Sequence, residues 1–536
     1  MLVVVALLGA ACSGDDTTDT TQAAAAATTA APTTSAAPAT TVAPTTAAPT
    51  TTTTAKPPPE HLWEESTETS IVGSTERSWS NKVELADIDG DGDVDMLFAD
   101  GGDQSRPGDP VVSQAWLNDG NATFTDVSTQ VFGTTAGSAR AIKARDVNGD
   151  GMPDLIIANT WSTQSRLLLN RGDLVFEDVT ATHLPERLAS SGDVEAGDVD
   201  GDGDLDLVLS DWGGVPPALN AANTMLWLND GAGIFTDATA ERMPDAPVSW
   251  SWELELVDVD NDFDLDIAVS CKSCTGSFLF KNDGDGFFSD ATAALPQSSN
   301  NYEFEAIDLT GDGFLDLVTL NDNRADLSAP FRNHLLVNDG AGGFSVAGED
   351  MLAPEDNPSH DDNMAVFLDF DSDGDADVLI GNLGTNDRLL RNDGAGVLTL
   401  VPEILGGRGT GGVLGMAVAD LNGDGRMDLV QSQGEVGDMT NRVFLGALVE
   451  PDTAPPVIGQ PLVVGDALVV RVHDNKSPLM PYDFTSVVVV GEAGETPLAW
   501  YGGYLWRAAG LTPGTYSVCA VDWAGNESCS EEVTVG

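Results

Sequence analysis

The sequence predicts an all-β protein made of small sheets set radially, a seven-bladed β-propeller, and three observations carry this. A nine-residue aspartate-rich loop is written seven times, first as Asp87-Ile-Asp-Gly-Asp-Gly-Asp-Val-Asp95 and then from Asp146, Asp198, Asp258, Asp308, Asp369 and Asp420. The starts lie 59, 52, 60, 50, 61 and 51 residues apart, with β-type runs on both sides. Asn-Asp-Gly turns recur at Asn118, Asn229, Asn282, Asn338 and Asn392, each between β runs, as hairpins require. A period of this length with one small sheet per repeat means radial packing.

The loops are the strongest chemical signal. Position 1 is always Asp: Asp87, Asp146, Asp198, Asp258, Asp308, Asp369 and Asp420. Position 3 is Asp89, Asn148, Asp200, Asp260, Thr310, Asp371 and Asn422. Position 5 is Asp91, Asp150, Asp202, Asp262, Asp312, Asp373 and Asp424, and position 9 is Asp95, Asp154, Asp206, Asp266, Asp316, Asp377 and Asp428. So many carboxylates on a tight turn repel one another unless a cation lies between them. Oxygen donors at alternate positions suit Ca²⁺, which takes six to eight oxygens in flexible geometry. Position 7 varies through Asp93, Met152, Asp204, Asp264, Phe314, Asp375 and Arg426, so its expected ligand is the backbone carbonyl. Position 6 is Gly except for Phe263, which marks the fourth loop as distorted or weak. Position 2 is always apolar, an anchor into a core. An EF-hand is excluded: Phe98 stands where its Glu should be, inside a strand-like run.

With 23 Lys plus Arg against 86 Asp plus Glu, the 536-residue chain carries −63. About seven Ca²⁺ would leave it strongly negative, so nucleic acid and anionic lipid are not expected partners. Of five cysteines, Cys271 with Cys274 and Cys519 with Cys529 form close pairs, which favour disulfides in an exported protein.

Residues 1–12, MLVVVALLGAAC, read as an export signal with no spanning helix after it. They resemble a bacterial lipoprotein signal, which implies a lipid on Cys12 and no other membrane contact; an ordinary cleaved signal is the alternative. Residues 13–60 are rich in Thr, Ala and Pro and are expected to form an extended tether.

Residues 61–450 hold the repeats. In the first, strands are expected at Lys82 to Ala86, Val94 to Ala99, Gln114 to Leu117 and Thr123 to Val127. The seventh repeat lacks a fourth strand before Pro451. Leu62 to Ser66 stands upstream of the first loop much as Phe124 to Ser128 stands upstream of the second, so the N-terminal strand is expected to complete the last blade. The phrases WLNDGNATFTDVS and DVDGDGDLDLVLS resemble FG-GAP/VCBS repeats, the family that includes the integrin α-subunit head. The resemblance implies calcium loops between strands 1 and 2 on one face and longer connections on the other. Residues 451–536 change character. Short β runs and Leu511-Thr-Pro-Gly-Thr-Tyr516 resemble the tyrosine corner of immunoglobulin and fibronectin III sandwiches.

Ahead of the loops, on the face expected to lie opposite, Trp79, Arg140, Trp250, Trp252, Tyr302 and Asp361 mix rings with polar groups. They form either a possible ligand face or packing between blades. Glu84, Lys143, Glu195, Glu255 and Glu305, three residues before their loops, are expected to line a hydrated channel. Arg171-Gly-Asp173 occupies a hairpin turn, which explains its Gly-Asp without an adhesive role. No catalytic triad, phosphate loop or zinc cluster is present. The expected function is a monomeric, non-enzymatic cell-surface or secreted binder of glycan or protein. A calcium-dependent polysaccharide lyase and a display scaffold for the C-terminal domain are the alternatives.

Overall fold

The computed structural model describes residues 60–73, 79–102, 109–213, 221–297, 300–321, 332–406, 411–434, 440–477 and 480–536. The signal, Cys12 and the tether through residue 59 lie outside the described residues. From Pro58 onward the chain forms one unit.

Seven sheets follow one another along the chain, antiparallel except where Trp63–Glu65 of the seventh also pairs parallel with Leu405–Gly406. Their first strands are Ser80–Ala86, Ala139–Arg145, Ser191–Gly197, Leu254–Val257, Asn301–Ile307, Asp362–Leu368 and Val413–Ala419. These inner strands touch their neighbours in a closed cycle, the seventh against the first. Each aspartate loop connects strand 1 to strand 2 of its sheet, for example Ser80–Ala86 to Asp95–Asp100. In every sheet but the fourth, the register between these strands slips by one residue near the start of strand 1. Such a bulge bends the strand and increases its local twist.

The seventh sheet takes its outer strand from the other end of the array. Trp63–Glu65 pairs antiparallel with Arg442–Gly446, matching Trp63 to Gly446. The Trp63 indole is fully buried and donates to the Met427 carbonyl at 2.9 Å. The apolar cores lie between neighbouring sheets: one joins Leu85, Met96 and Phe98 of the first to Leu421, Val430 and Val443 of the seventh. All seven apolar residues at loop position 2 are buried, so each loop is anchored to such a core.

A recurrent turn follows the outer strands, in which Asp126, Asp178, Asp237 and Asp290 each accept the N–H of a Ser or Thr two residues on. That hydroxyl in turn accepts a backbone N–H from strand 3, as Thr239 does from Leu226 at 3.0 Å. The Asp-x-Ser/Thr spelling was legible in the sequence as a local motif.

Past Asp452 two five-stranded sheets enclose one core built on Leu468, Val470, Val489, Val518 and Trp506. Four strands, Ala467–His473, Phe484–Gly491, Gly514–Asp522 and Val533–Val535, coincide with β runs that the sequence shows at Ala467 to Val472, Ser486 to Val490, Tyr516 to Val521 and Glu532 to Val535. The strands Gly494–Pro497, Ala499–Gly502 and Leu505–Ala508 do not, because their apolar residues are interrupted by Gly and Pro. The Tyr516 hydroxyl donates to the Thr512 carbonyl at 2.7 Å. Both disulfides are formed, and Cys519–Cys529 bridges directly paired strands.

Replacing Trp63 by Ala empties a fully buried site at the ring's seam. It should cost about 3–5 kcal/mol, read as a lower urea midpoint for the full chain; a loss near zero would mean the strand closes nothing.

Candidate metal loops and central channel

Each loop is folded by its own carboxylates. In six of the seven, the N–H of Gly at position 6 donates to the first aspartate, at 2.9 Å from Gly92 to Asp87 and 2.7 Å from Gly313 to Asp308. The ninth aspartate works harder. Its one oxygen accepts the N–H of position 2 and its other the N–H that opens the strand 3–4 hairpin. For Asp95 these are Ile88 at 2.9 Å and Asn118 at 2.8 Å. The same pair recurs in all seven repeats, with Gly446, the last residue of the seventh sheet's third strand, in the place of the hairpin Asn. The hairpin Asn then reaches the preceding sheet. Asn118 Nδ2 donates to Leu421 O, Asn170 to Ile88 O, Asn229 to Val147 O and Asn282 to Val199 O, all carbonyls of loop position 2. Asn338 and Asn392 continue the series, and at the seam the Glu450 N–H takes the Phe370 carbonyl instead. Sequence reading treated these asparagines only as turn formers; their recurrence ahead of Gly was the signal.

Loops three, four and six hold buried aspartate oxygens with no hydrogen-bond partner. Among the described residues, Asp198 Oδ1, Asp200 Oδ1, Asp258 Oδ1, Asp260 Oδ1 and Asp371 Oδ1 are buried with no hydrogen bond. Ligand atoms of Asp87, Asp89 and Asp95 lie within 4.8 Å of one another, as do those of Asp198, Asp200 and Asp206. Burial pushes the Asp95, Asp206, Asp266, Asp377 and Asp428 carboxyls up to about 8. Converging carboxylate oxygens without hydrogen bonds are a donor set that fits a hard divalent cation.

The fourth loop differs, and not only in Phe263. Phe263 takes φ 67°, the left-handed conformation its glycine counterparts adopt. The Arg471 guanidinium lies 3.2 Å from Asp258 Oδ2, the oxygen a glycine N–H holds elsewhere. Lys281 pairs with Asp260. Basic side chains also meet the third loop, Arg242 to Asp200 at 3.2 Å, and the sixth, Arg391 to Asp371 at 2.6 Å.

Arg471 belongs to the C-terminal sandwich, which covers the loop face of the ring. Position-6 carbonyls of four successive loops accept from this segment: Phe263 from the Tyr501 hydroxyl at 3.0 Å, Gly313 from Arg471 at 2.9 Å, Gly374 from Asn475 at 2.8 Å and Gly425 from the Asp452 N–H at 2.7 Å. Lys476, 1 % exposed, donates to Asp369 O and Glu450 O, both at 2.7 Å. Tyr504 and Tyr482 reach the inner-strand carbonyls of Ala306 and Ala144 at 2.8 and 2.7 Å.

Beneath this cap lies a cavity of about 220 Å³ in the ring's centre. Its walls carry Glu84, Glu195, Glu253, Glu255, Glu303 and Glu305 with Lys82, Lys143 and Arg145, and Met480, Trp500 and Tyr504 of the sandwich close one end. Lys143 pairs with Glu195 at 2.6 Å and Arg145 with Glu84 at 2.6 Å. Lys82 lies 3.2 Å from Asp193 and contacts Glu253; these carboxylates overcome burial and hold it above its ordinary value. Burial, then neighbouring carboxylates, holds Glu255 and Glu305 well above the usual range, and burial takes Glu303 to about 7. The tier of Lys82, Asp193, Glu253 and Glu303 escaped sequence reading, although it stands two residues before the tier that was read, on the same strands.

Of the six ring and polar residues expected on the far face, four meet. Trp250, Trp252 and Tyr302 join Trp161 and Trp212 in one cluster, with Trp252 stacked on Tyr302 at 6.2 Å. Arg140 lies 4.4 Å above the Trp252 ring and Lys272 4.0 Å above Tyr302. Trp252 and Arg140 are each 4 % exposed and serve packing, whereas Trp250 and Lys272 are half-buried. Trp161 and Trp250 hold φ 61° and 57°, strained for a bulky residue. Trp79 instead packs by Gly434, and Asp361 sits on the sixth sheet. Trp161 and Trp212 follow second strands, and no repeat spacing pointed to them. Arg171 of the Arg-Gly-Asp turn is tied to Glu177 at 2.8 Å.

Ring topology and loop chemistry together mark a repeat protein, and comparison with known families agrees. The chain carries FG-GAP-like repeats, matched at residues 87–157, 146–209, 308–380 and 369–430. It is similar to cartilage acidic protein 1 of Mus musculus, 25 % identical over 354 residues, which is 58 % of this chain and 50 % of that one. Against the Homo sapiens protein it is 29 % identical over 197 residues, 33 % of this chain and 28 % of that one. The chain thus spans half or less of the curated relatives it matches. Solved structures similar to it include BBS1N in complex with ARL6DN, at a TM-score of 0.42 and 10 % identity over 74 % of this chain and 98 % of that one. The exotype rhamnogalacturonan lyase YesX gives 0.38 and 15 %, over 68 % and 60 %. The V. cholerae biofilm matrix protein Bap1 gives 0.33 and 15 %, over 88 % and 76 %.

The channel supplies a pH test. The unfolded Glu303 carboxyl ionises near its ordinary value and the folded one near 7, so stability from this group is present at low pH and falls as pH rises between the two. Glu303→Gln mimics the protonated form. With calcium held constant, it should raise the melting temperature more at about pH 8 than at about pH 5; an equal effect at both would remove Glu303 from the account.

Proposed function

We propose that the chain is an extracellular, seven-bladed calcium propeller that binds a glycan or protein ligand through the face its C-terminal, immunoglobulin-like sandwich leaves uncovered. The observation that carries the metal assignment is the set of buried aspartate oxygens without hydrogen bonds in loops three, four and six. In this reading the first, third, fifth and ninth side chains and the seventh carbonyl of each loop hold the ion. The bound ion supplies positive charge that offsets carboxylate repulsion. The residues of the chain do the rest: the ninth aspartate fixes strand 3 and the hairpin Asn fixes the preceding blade. Export follows from the N-terminal signal and the two disulfides, with Cys12 as the lipid anchor.

The binding face is supported by Trp250 and Lys272, half-buried at the aromatic cluster on the end of the sheets away from the aspartate loops. Flat rings beside a cation suit a sugar ring or an aromatic-rich protein edge. A second reading, a polysaccharide lyase, is favoured by Lys82 set against Asp193 and Glu253 inside the channel, since paired acid and base groups can move a proton. Release of ultraviolet-absorbing unsaturated products from an acidic polysaccharide would decide for it.

Asp91→Ala should remove one ion's contribution. At a calcium concentration ten times its dissociation constant the stability loss should be about 1.4 kcal/mol, and in EDTA close to nothing. Equal loss in both would refute the site. Trp250→Ala should abolish binding on a glycan or protein array while leaving the melting temperature within a few degrees; retained binding would move the ligand elsewhere.

A further inference from the structure

We infer that the C-terminal sandwich is a calcium-dependent plug: it docks on the ion-loaded form of the loops and releases the channel's end when they are empty. The inference rests on the calcium reading of the loops and goes beyond it by coupling two parts of the chain.

The contact pattern is what points this way. In loops four to seven the C-terminal segment does not seek the same side chain each time, since position 7 varies from Asp264 through Phe314 to Arg426. It seeks the same backbone atom, the position-6 carbonyl, and reaches it with a tyrosine hydroxyl, a guanidinium, an amide and a backbone N–H. That carbonyl belongs to the peptide just before the one whose own carbonyl is the expected ligand. If position 7 points its oxygen inward, the carbonyl before it is presented outward, to the sandwich. A loop freed of its ion keeps mutually repelling carboxylates, five in loops four and six and three in loops five and seven, and no reason to hold that arrangement. The sandwich therefore has differential affinity for the two loop states, which is the requirement for coupling.

Arg471 and Lys476 set the opposing term, because positive charge on the sandwich should favour empty, more negative loops. Charge counting decides the sign. Loops four and six each hold five aspartates, so either remains negative after one divalent ion and still attracts its cation. The electrostatic attraction weakens on loading but does not reverse, while the hydrogen bonds to position 6 are gained. Release would uncover Met480, Trp500 and Tyr504 together with the acidic end of the channel. The strained, aromatic far face takes no part.

The experiment is hydrogen exchange and small-angle scattering on the full chain with calcium and after chelation, alongside equilibrium dialysis for bound metal. Chelation should raise exchange in residues 471–477 and 499–504 and enlarge the particle, while Val487, Val489, Val518 and Ala520 in the sandwich core stay protected. Binding is reciprocal, so Asn475→Ala combined with Tyr501→Phe should weaken calcium at the affected loops by roughly 5- to 150-fold. Metal bound by the wild type, with scattering and exchange unchanged on chelation, overturns the plug and leaves the calcium reading intact. No metal retained at millimolar supply overturns both. Unaltered calcium affinity in the double variant, folded as judged by its core protection, also overturns the plug.

Discussion

The structure depends on the two-sided use of a buried carboxylate, the ninth residue of each loop. One oxygen holds the loop's own backbone and the other holds the start of the hairpin two strands away. The hairpin asparagine then crosses to the preceding sheet. Loop, hairpin and neighbouring sheet are thus linked through a chain of hydrogen bonds that repeats around the ring. Such a group is expensive to bury as an anion, which is why the loop must either protonate it or set a cation beside it. Charge compensation and blade-to-blade connection are one problem in this protein.

The two faces of the ring consequently differ in chemistry. The loop face is polar, rich in outward carbonyls, and is taken by the sandwich through Tyr501, Arg471, Asn475 and Lys476. The other face carries the aromatic cluster and its flanking cations. Between them the channel alternates carboxylates with three basic groups, so that Glu255, Glu303 and Glu305 are held toward their neutral forms by burial. Two closures keep this arrangement together, the Trp63 strand at the seam and the cap over the loops.

Much of this was legible before folding because it is local or periodic. The loop spacing named the oxygen donors, the alternation named the strands, and the offset of Leu62 to Ser66 from the first loop named the seam partner. The channel glutamates three residues ahead of each loop were legible for the same reason. Their companions Lys82, Asp193 and Glu253 stand two residues earlier and share that face, but they were not legible because the residue type at that position changes from repeat to repeat, with Ala141, Met364 and Gly415 in the others. Trp161 and Trp212 were missed because they stand outside any repeated position, and only the meeting of the second, third and fourth sheets assembles them with Trp252.

By itself the sequence determined the number of repeats, the composition of each loop and the way the ring shuts, since each of these is written in spacings of a few tens of residues or in residue type. Tertiary structure alone decided that Arg471 meets Asp258, 213 positions away, and that the C-terminal sheets cap the loop face. Those contacts join segments with no common periodicity, and they form because buried carbonyls and carboxylates must find donors wherever the packed chain supplies them.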